Sequence, residues 1–172
     1  MKSSDWINEE DWVSGDGGPI VVIQSSVIKK WKGAEDFENS LMNGGDVETD
    51  YDVICECKDG VNLIKRYKRE MFVLSDCEWS ASLQKTPDGN IVIIQFFGSD
   101  KTTEELILEC FHIPASVSFP FKMKDDFLRL LVGADSGNGE IWGFSDIYLK
   151  PGLKHCDVYY SDEAQIVIIK DI

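Results

Sequence analysis

Residues 78–97 read EWSASLQKTPDGNIVIIQFF, and this stretch carries the clearest hairpin signal in the chain. The turn formers at 87–90 separate two runs rich in apolar and β-branched residues, which is the pattern of two antiparallel strands joined by a tight turn. A second hairpin is predicted at Asp59-Gly60, joining strands at 51–57 and 61–67. The chain is therefore expected to be built mainly on antiparallel sheet.

Turn signals continue outward from these hairpins at intervals of roughly 8–12 residues, as is usual in mostly antiparallel folds. The remaining predicted strands lie near 19–24, 70–75, 105–112, 116–121, 140–148, 156–160 and 165–170. Short helices are predicted at 25–33 and 124–132, and the residues after Thr102 fit a third helix as well as they fit a strand. The pattern predicts an α+β fold, a mostly antiparallel β-sheet with two or three short helices.

The length and composition indicate one domain with a substantial core. The chain has 172 residues, of which 43% are hydrophobic, so a core can form without disulfide or metal support. With no repeat or linker in view, a single domain over 1–172 is predicted, with flexible stretches at 1–11 and 34–49. The longest apolar runs are four residues, which is too short to span a membrane.

The five cysteines and the first residues predict a cytoplasmic protein. No apolar signal segment follows Met1, and an odd number of cysteines is typical of reduced thiols. Cys55 and Cys57 lie two positions apart, which fits either half of a metal site or two buried apolar side chains. Burial is favoured because no second cysteine pair accompanies them. No metal and no cofactor are predicted.

The charge of the chain disfavours nucleic acid and anionic membranes as partners. Seventeen basic residues against 31 acidic ones give a net charge of −14, which repels a polyanion at long range. The charge suits a basic protein partner, although solubility alone also explains it. Nine acids and one base fall within 34–59, and the basic run Lys65–Arg69 that follows is interpreted as counter-charge.

No established catalytic motif is present. The sequence has no phosphate-binding P-loop, no nucleophile elbow and no His-Glu-x-x-His. The Gly-rich stretch at 14–19 is interpreted as a tight turn into a strand. Asp50 and Asp52 would share one face of a strand, where they fit an acid/base pair, a cation site, an edge charge or the rim of a contact with a basic partner. His112 and His155 are isolated in the sequence and identify no general base.

Three short motifs resemble the immunity protein 21 family, a bacterial family associated with polymorphic toxin systems. The first is WVSGDGGP at 12–19 with the aliphatic run after it, the second is Trp31-Lys32-Gly33, and the third is Asp50-Tyr51-Asp52 with Cys55. The resemblance extends over about 12–97, and 98–172 matches no family that we can name. The residues that carry the motifs are Trp12, Gly17, Gly18, Pro19, Trp31, Gly33 and Cys55.

The resemblance implies a protein that binds and neutralises a cognate toxin domain and is not itself an enzyme. The net charge agrees with a basic toxin, because an acidic protein can occupy a cleft that binds a polyanionic substrate. Acids are expected to rim the contact and aromatic side chains to anchor it. The residues assigned to this contact are Asp46, Glu48, Asp50, Tyr51, Asp52 and Trp79.

Two other functions compete with this interpretation. The first is a hydrolase that uses Asp50 and Asp52, with or without a divalent cation. The second is a structural module of a larger assembly, for which a large exposed apolar patch would be the sign. Trp12 and Trp31 are expected to pack in the core under any of these functions, whereas the sequence leaves the place of Trp79 open.

Overall fold

The computed structural model describes residues 12–14, 18–34, 48–75, 79–140 and 143–172. They form a single domain that is mostly antiparallel β-sheet, with eleven strands and three short helices in this part of the chain, as predicted. The predicted flexible stretches at 1–11 and, for the most part, 34–49 lie outside the described residues, as do Gly17, Asp46 and Cys77.

Two antiparallel sheets pack face to face. The strands are β1 (Trp12–Val13), β2 (Ile20–Gln24), β3 (Val61–Arg66), β4 (Arg69–Leu74), β5 (Ala81–Lys85), β6 (Ile91–Phe96), β7 (Val117–Met123), β8 (Phe127–Val132), β9 (Phe144–Tyr148), β10 (Gly152–Tyr160) and β11 (Ala164–Asp171). One sheet has the order β1-β5-β6-β11-β10-β7 and the other has the order β3-β4-β2-β8-β9. The two halves of the chain are therefore interleaved, since β8 pairs with β2 and β11 pairs with β6.

The main core lies between the sheets, and each outer face carries a smaller apolar cluster. The largest fully buried side chains of the main core are Phe72 and Phe121, whose ring centroids are 4.8 Å apart. Outside the five-stranded sheet lie a 3₁₀ helix (Ser25–Lys30) and helix α1 (Asp50–Cys55); outside the six-stranded sheet lies helix α2 (Thr103–Cys110). The runs at 20–23 and 91–94 are continuously apolar because their strands are covered on both faces.

The hairpin predicted at 78–97 is confirmed, with Leu83 opposite Ile93 in the β5–β6 pair. The prediction of a short helix after residue 25 is also confirmed by the 3₁₀ helix. Trp31 is buried and Trp12 is half-buried, with its ring 6.5 Å from that of Phe96. The core positions predicted for both tryptophans are therefore observed.

The strand predicted at 51–57 is wrong, and so is the hairpin at Asp59-Gly60. Residues 50–55 form α1, whose start is fixed by a capping box: the amide of Asp52 donates to Thr49 Oγ1 at 3.2 Å, and the amide of Thr49 donates to Asp52 Oδ2 at 2.8 Å. Strand β3 instead pairs with β4 across a two-residue turn at Tyr67-Lys68.

The helix predicted at 124–132 is also wrong, because residues 127–132 form β8 between β2 and β9. The segment after Thr102 settles as a helix, with Thr102 and Glu105 forming a second capping box. Among the described residues no helix is long and apolar enough to cross a membrane. Cys55 is exposed and Cys57 half-buried, which contradicts the predicted burial of this pair.

Candidate functional site

Asp50 lies in the first turn of α1 and is 1% exposed. Its carboxylate accepts hydrogen bonds from the backbone amide of Lys32 at 2.8 Å and from the hydroxyl of Tyr67 at 2.8 Å. It also pairs with Arg66, whose Nε and Nη2 lie 2.7 and 2.6 Å from Oδ1. The carboxylate is thus held from three elements, and its burial is incompatible with the predicted place of Asp50 at the rim of a contact.

Tyr67 completes this arrangement from the β3–β4 turn. Burial and the neighbouring carboxylate of Asp50 raise the pKa of Tyr67 to about 12, so the hydroxyl stays protonated as a donor. Arg66 belongs to the basic run that was interpreted as counter-charge to the acidic window, and its pairing with Asp50 supports that interpretation. No local pattern indicates the Tyr67 contact, because it joins α1 to a turn 17 positions further along the chain.

Asp52 does not share the partners of Asp50. Its Oδ2 accepts from both the backbone amide and the hydroxyl of Thr49, each at 2.8 Å, so it caps the helix. Positions two apart in a helix differ by about 200° around the axis, whereas in a strand they share a face. The paired carboxylates predicted for acid/base chemistry or cation binding are therefore not formed.

The glycines of the motifs allow close packing. A Cβ on Gly18 would lie 2.8 Å from Cε2 of Tyr51, and one on Gly33 would lie 2.3 Å from the carbonyl oxygen of Ala134. Tyr51 is half-buried and packs against the outer cluster of the five-stranded sheet. Its role as an aromatic anchor of the partner contact stays a prediction.

Pro19, Trp31 and Gly33 meet the turn that follows β8. The indole nitrogen of Trp31 donates to the carbonyl of Gly133 at 3.1 Å, and the amide of Gly133 donates to the carbonyl of Pro19 at 2.7 Å. The backbone amide of Ala34 donates to Ala134 at 2.8 Å. These contacts show that the motif residues build a framework around 133–135, a turn that the sequence analysis had not connected to them.

Among the described residues, the acids that face solvent near α1 are Glu48, Glu56 and Asp59. None of the salt bridges within the described part of the chain involves them. Glu48 is therefore the assigned acid that the structure places at the surface with its carboxylate outside these ion pairs. Glu56 and Asp59 were counted in the acidic window but were not singled out.

Trp79 is 39% exposed and lies apart from the α1 acids. Its ring centroid is 5.9 Å from that of Phe97, just beyond β6, and its carbonyl accepts from the side chain of Gln95. It therefore belongs to the six-stranded sheet, whereas α1 covers the five-stranded sheet. Within the described residues, no group of three His, Cys, Asp or Glu side chains is arranged to hold a metal ion.

The model of the family described as Immunity protein 21 matches residues 11–91, which confirms the resemblance. The matched segment is just under half of the chain and runs from β1 to the first residue of β6. The chain matches no curated protein and no solved structure.

Proposed function

We propose that this chain, which carries the immunity protein 21 match, neutralises a cognate bacterial toxin domain by binding it in the cytoplasm. The match over residues 11–91 is the observation that carries the proposal. The net charge of −14 supports a basic partner, because opposite charges speed the encounter and help to select the partner. Neutralisation then occurs by covering the toxin's substrate cleft rather than by a reaction.

The proposed contact surface is centred on Glu48, Glu56 and Asp59. Asp50 and Asp52 are left out of this surface, because the carboxylate of Asp50 is buried against Arg66 and that of Asp52 caps α1. Asp46 stays in the proposal as a residue outside the described part of the chain. Trp79 stays as an aromatic anchor only for a contact that reaches the six-stranded sheet.

A non-enzymatic role agrees with the family match and with the contacts that Asp50 and Asp52 make. The hydrolase hypothesis required Asp50 and Asp52 to act together on a substrate. One is buried under Arg66 and Tyr67, and the other caps α1 through Thr49. That hypothesis therefore loses the pair of groups on which it depended.

Co-expression with the toxin domain encoded beside this gene tests neutralisation directly. We expect the wild-type chain to restore growth of bacteria that express the toxin. Failure of the wild-type chain to restore growth, with both proteins expressed and folded, would contradict the proposed function.

A charge-matched pair of variants tests the surface. The variant E48Q/E56Q/D59N removes the three acids near α1, and the control D88N/D100N/D162N removes three exposed acids elsewhere. We expect the first variant to associate with the toxin about tenfold more slowly at low salt, with a weaker salt dependence, because it loses electrostatic steering. An equal effect of the two variants on the association rate would remove this surface from the proposal.

A further inference from the structure

Seven lysines gather at one end of the five-stranded sheet of this acidic protein, and we call this surface the lysine end. Its members come from three separate segments, and all are exposed: Lys29, Lys30, Lys32, Lys65, Lys68, Lys122 and Lys124. They make up seven of the seventeen basic residues of the chain. The lysine end is thus a local reversal of the sign of the overall charge.

Hydrogen bonds, several of them part-buried, tie these segments together. The side-chain amide of Gln24 is fully buried and donates to the carbonyls of Glu70 and Lys122 at 2.9 and 3.1 Å, while its oxygen accepts from the amide of Lys124 at 2.8 Å. The Nζ of Lys124 donates to the carbonyl of Lys68 at 3.2 Å. The lysines therefore form one surface with a fixed backbone.

Three of the acids beside these lysines are already engaged. Asp50 pairs with Arg66 and Asp125 pairs with Arg69, with N–O distances of 2.6 and 2.8 Å. A carboxylate oxygen of Glu70 accepts from the backbone amide at residue 122 at 2.6 Å. The salt bridges within the described residues thus use the two arginines and leave the seven lysine side chains out.

The hairpin tip at the lysine end is held in an unusual conformation. Tyr67 and Lys68 have φ values of 50° and 62°, in the left-handed region that favours Asn and Gly at such turns. The Tyr67 hydroxyl lies 2.9 Å from the carbonyl oxygen of Lys30, which fixes the tip against the 3₁₀ helix. Strain of this kind persists where the surroundings over-determine the backbone, and it is found most often at functional sites.

We propose that the lysine end binds a carboxylate-rich surface of another protein. This inference does not rest on the proposed neutralisation of a toxin, because it concerns a surface of opposite charge. Clustered ammonium groups on a fixed backbone attract clustered carboxylates, and an apolar ring between them supplies contact area. Tyr67, which is 37% exposed, is the ring at the centre of this surface.

Nucleic acid fits the same surface less well. The arginines, which suit bidentate phosphate contacts, are occupied by Asp50 and Asp125. Lys30 and Arg66 already lie against the Tyr67 ring, at 5.9 and 5.7 Å from its centroid, where a base would have to stack.

Fluorescence anisotropy with a labelled oligo-glutamate peptide tests this proposal. We expect binding that weakens as salt rises and that is about tenfold weaker for K65Q/K68Q/K124Q. The control K58Q/K85Q/K150Q removes three exposed lysines that lie elsewhere, and it should change the affinity less than about twofold. Equal losses in the two triple variants would overturn the proposal, as would tighter binding of oligo-thymidylate or of phosphatidylserine vesicles than of the peptide.

The single variant Lys68→Gly separates binding from folding. Glycine relieves the left-handed backbone at this position while removing one charge from the lysine end. We expect an unchanged or higher Tm together with weaker binding of the oligo-glutamate peptide. Unchanged binding by this variant, with the triple variant also unaffected, would show that the lysine end is not the binding surface.

Discussion

The two outer faces of the sandwich are both covered by short helices, but they are held in different ways. Over the six-stranded sheet, α2 buries Leu106, Ile107 and Cys110 against other apolar side chains. Over the five-stranded sheet, the cover depends on the buried carboxylate of Asp50. It also depends on a close backbone approach at Gly33, where any side chain would collide with the carbonyl oxygen of Ala134. The first face needs apolar volume, whereas the second needs particular residues.

This difference shows what the family motifs do in this chain. The matched segment of 11–91 contains the whole cover of the five-stranded sheet and none of α2. Motif residues such as Trp31 and Asp50 form the framework of that cover, so their presence reports on how the domain is built. The surfaces proposed to bind partners lie beside the framework: one includes Glu48, and the other is the lysine end.

The largest expected effect is that of Gly33→Ala, which changes the cover of the five-stranded sheet. The new Cβ would lie 2.3 and 2.4 Å from the carbonyl oxygens of Ala134 and Asp135, so the backbone would have to move. We expect a loss of at least about 3 kcal/mol in the free energy of unfolding, measured by urea denaturation. The control Gly89→Ala meets open space and should cost only about 1 kcal/mol for its φ of +87°. Similar losses in both variants would show that close packing at Gly33 is unimportant.

Ile107→Ala tests the apolar face and should cost about 3 kcal/mol, since this side chain is fully buried and leaves a cavity. The loss should be the same at low and high salt, because no charge is involved. Leu108→Ala on the same helix removes a side chain that is 48% exposed and should cost less than about 0.5 kcal/mol. A strong salt dependence of the Ile107 variant would argue against a purely apolar cover.

Asp50→Asn should cost about 2 kcal/mol, because it leaves Arg66 and two other donors without the charge that they bind. The loss is smaller than for a fully buried pair, since the Arg66 side chain is 29% exposed and can reach water. Asp52→Asn keeps an acceptor for Thr49 and should cost less than about 0.5 kcal/mol. If both variants were equally stable in urea denaturation, the two aspartates would not differ as their contacts indicate.

The smallest effect is on the pH dependence of stability near the lysine end. Burial raises the pKa of Asp125, but hydrogen bonds from Ser26 and Arg69 outweigh it and hold the pKa below its usual value. A lowered pKa stabilises the folded chain above the unfolded pKa of about 4, and this contribution disappears as the pH falls through the lower folded value. We expect Asp125→Asn to be less stable than wild type at pH 6 and to approach it at low pH.

The control for this titration is Asp88→Asn, which removes the same charge from an exposed turn. At pH 6 its free energy of unfolding should lie within about 0.5 kcal/mol of the wild-type value, because an exposed substitution of this kind changes stability little. A gap between Asp125→Asn and wild type that does not close on acidification would contradict the cause given for the lowered pKa.

The strands of the β5–β6 hairpin could be predicted because their turn formers and apolar runs are local signals. Strand β8 could not, since it is covered on both faces and its apolar residues at 127, 128 and 131 also fit a helical stripe. Helix α1 was missed although Thr49 and Asp52 have the spacing of a capping box, because the β-branched residues at 53 and 54 favoured a strand.

Only part of the candidate site could be predicted, because its contacts join residues that lie far apart in the sequence. The motif around Asp50 was visible in the sequence, but its burial depends on Arg66 and Tyr67, which reach it from a different strand and turn. Exposure of Glu48 likewise follows from where α1 packs. The lysine end could not be predicted, because its members are scattered over 29–124. They come together only in the fold, through contacts such as the hydrogen bonds of Gln24.

The central place of β11 in the six-stranded sheet has a consequence for biosynthesis. Strand β11 covers one hydrogen-bonding edge of β6. Until residues 164–171 leave the ribosome, that edge has no partner and the apolar run at 91–94 stays exposed. Such an unpaired apolar strand invites pairing with other nascent chains. The newly made protein therefore passes through an interval in which this edge is open to aggregation, and the interval ends only after synthesis has moved well past the segment that carries the family motifs.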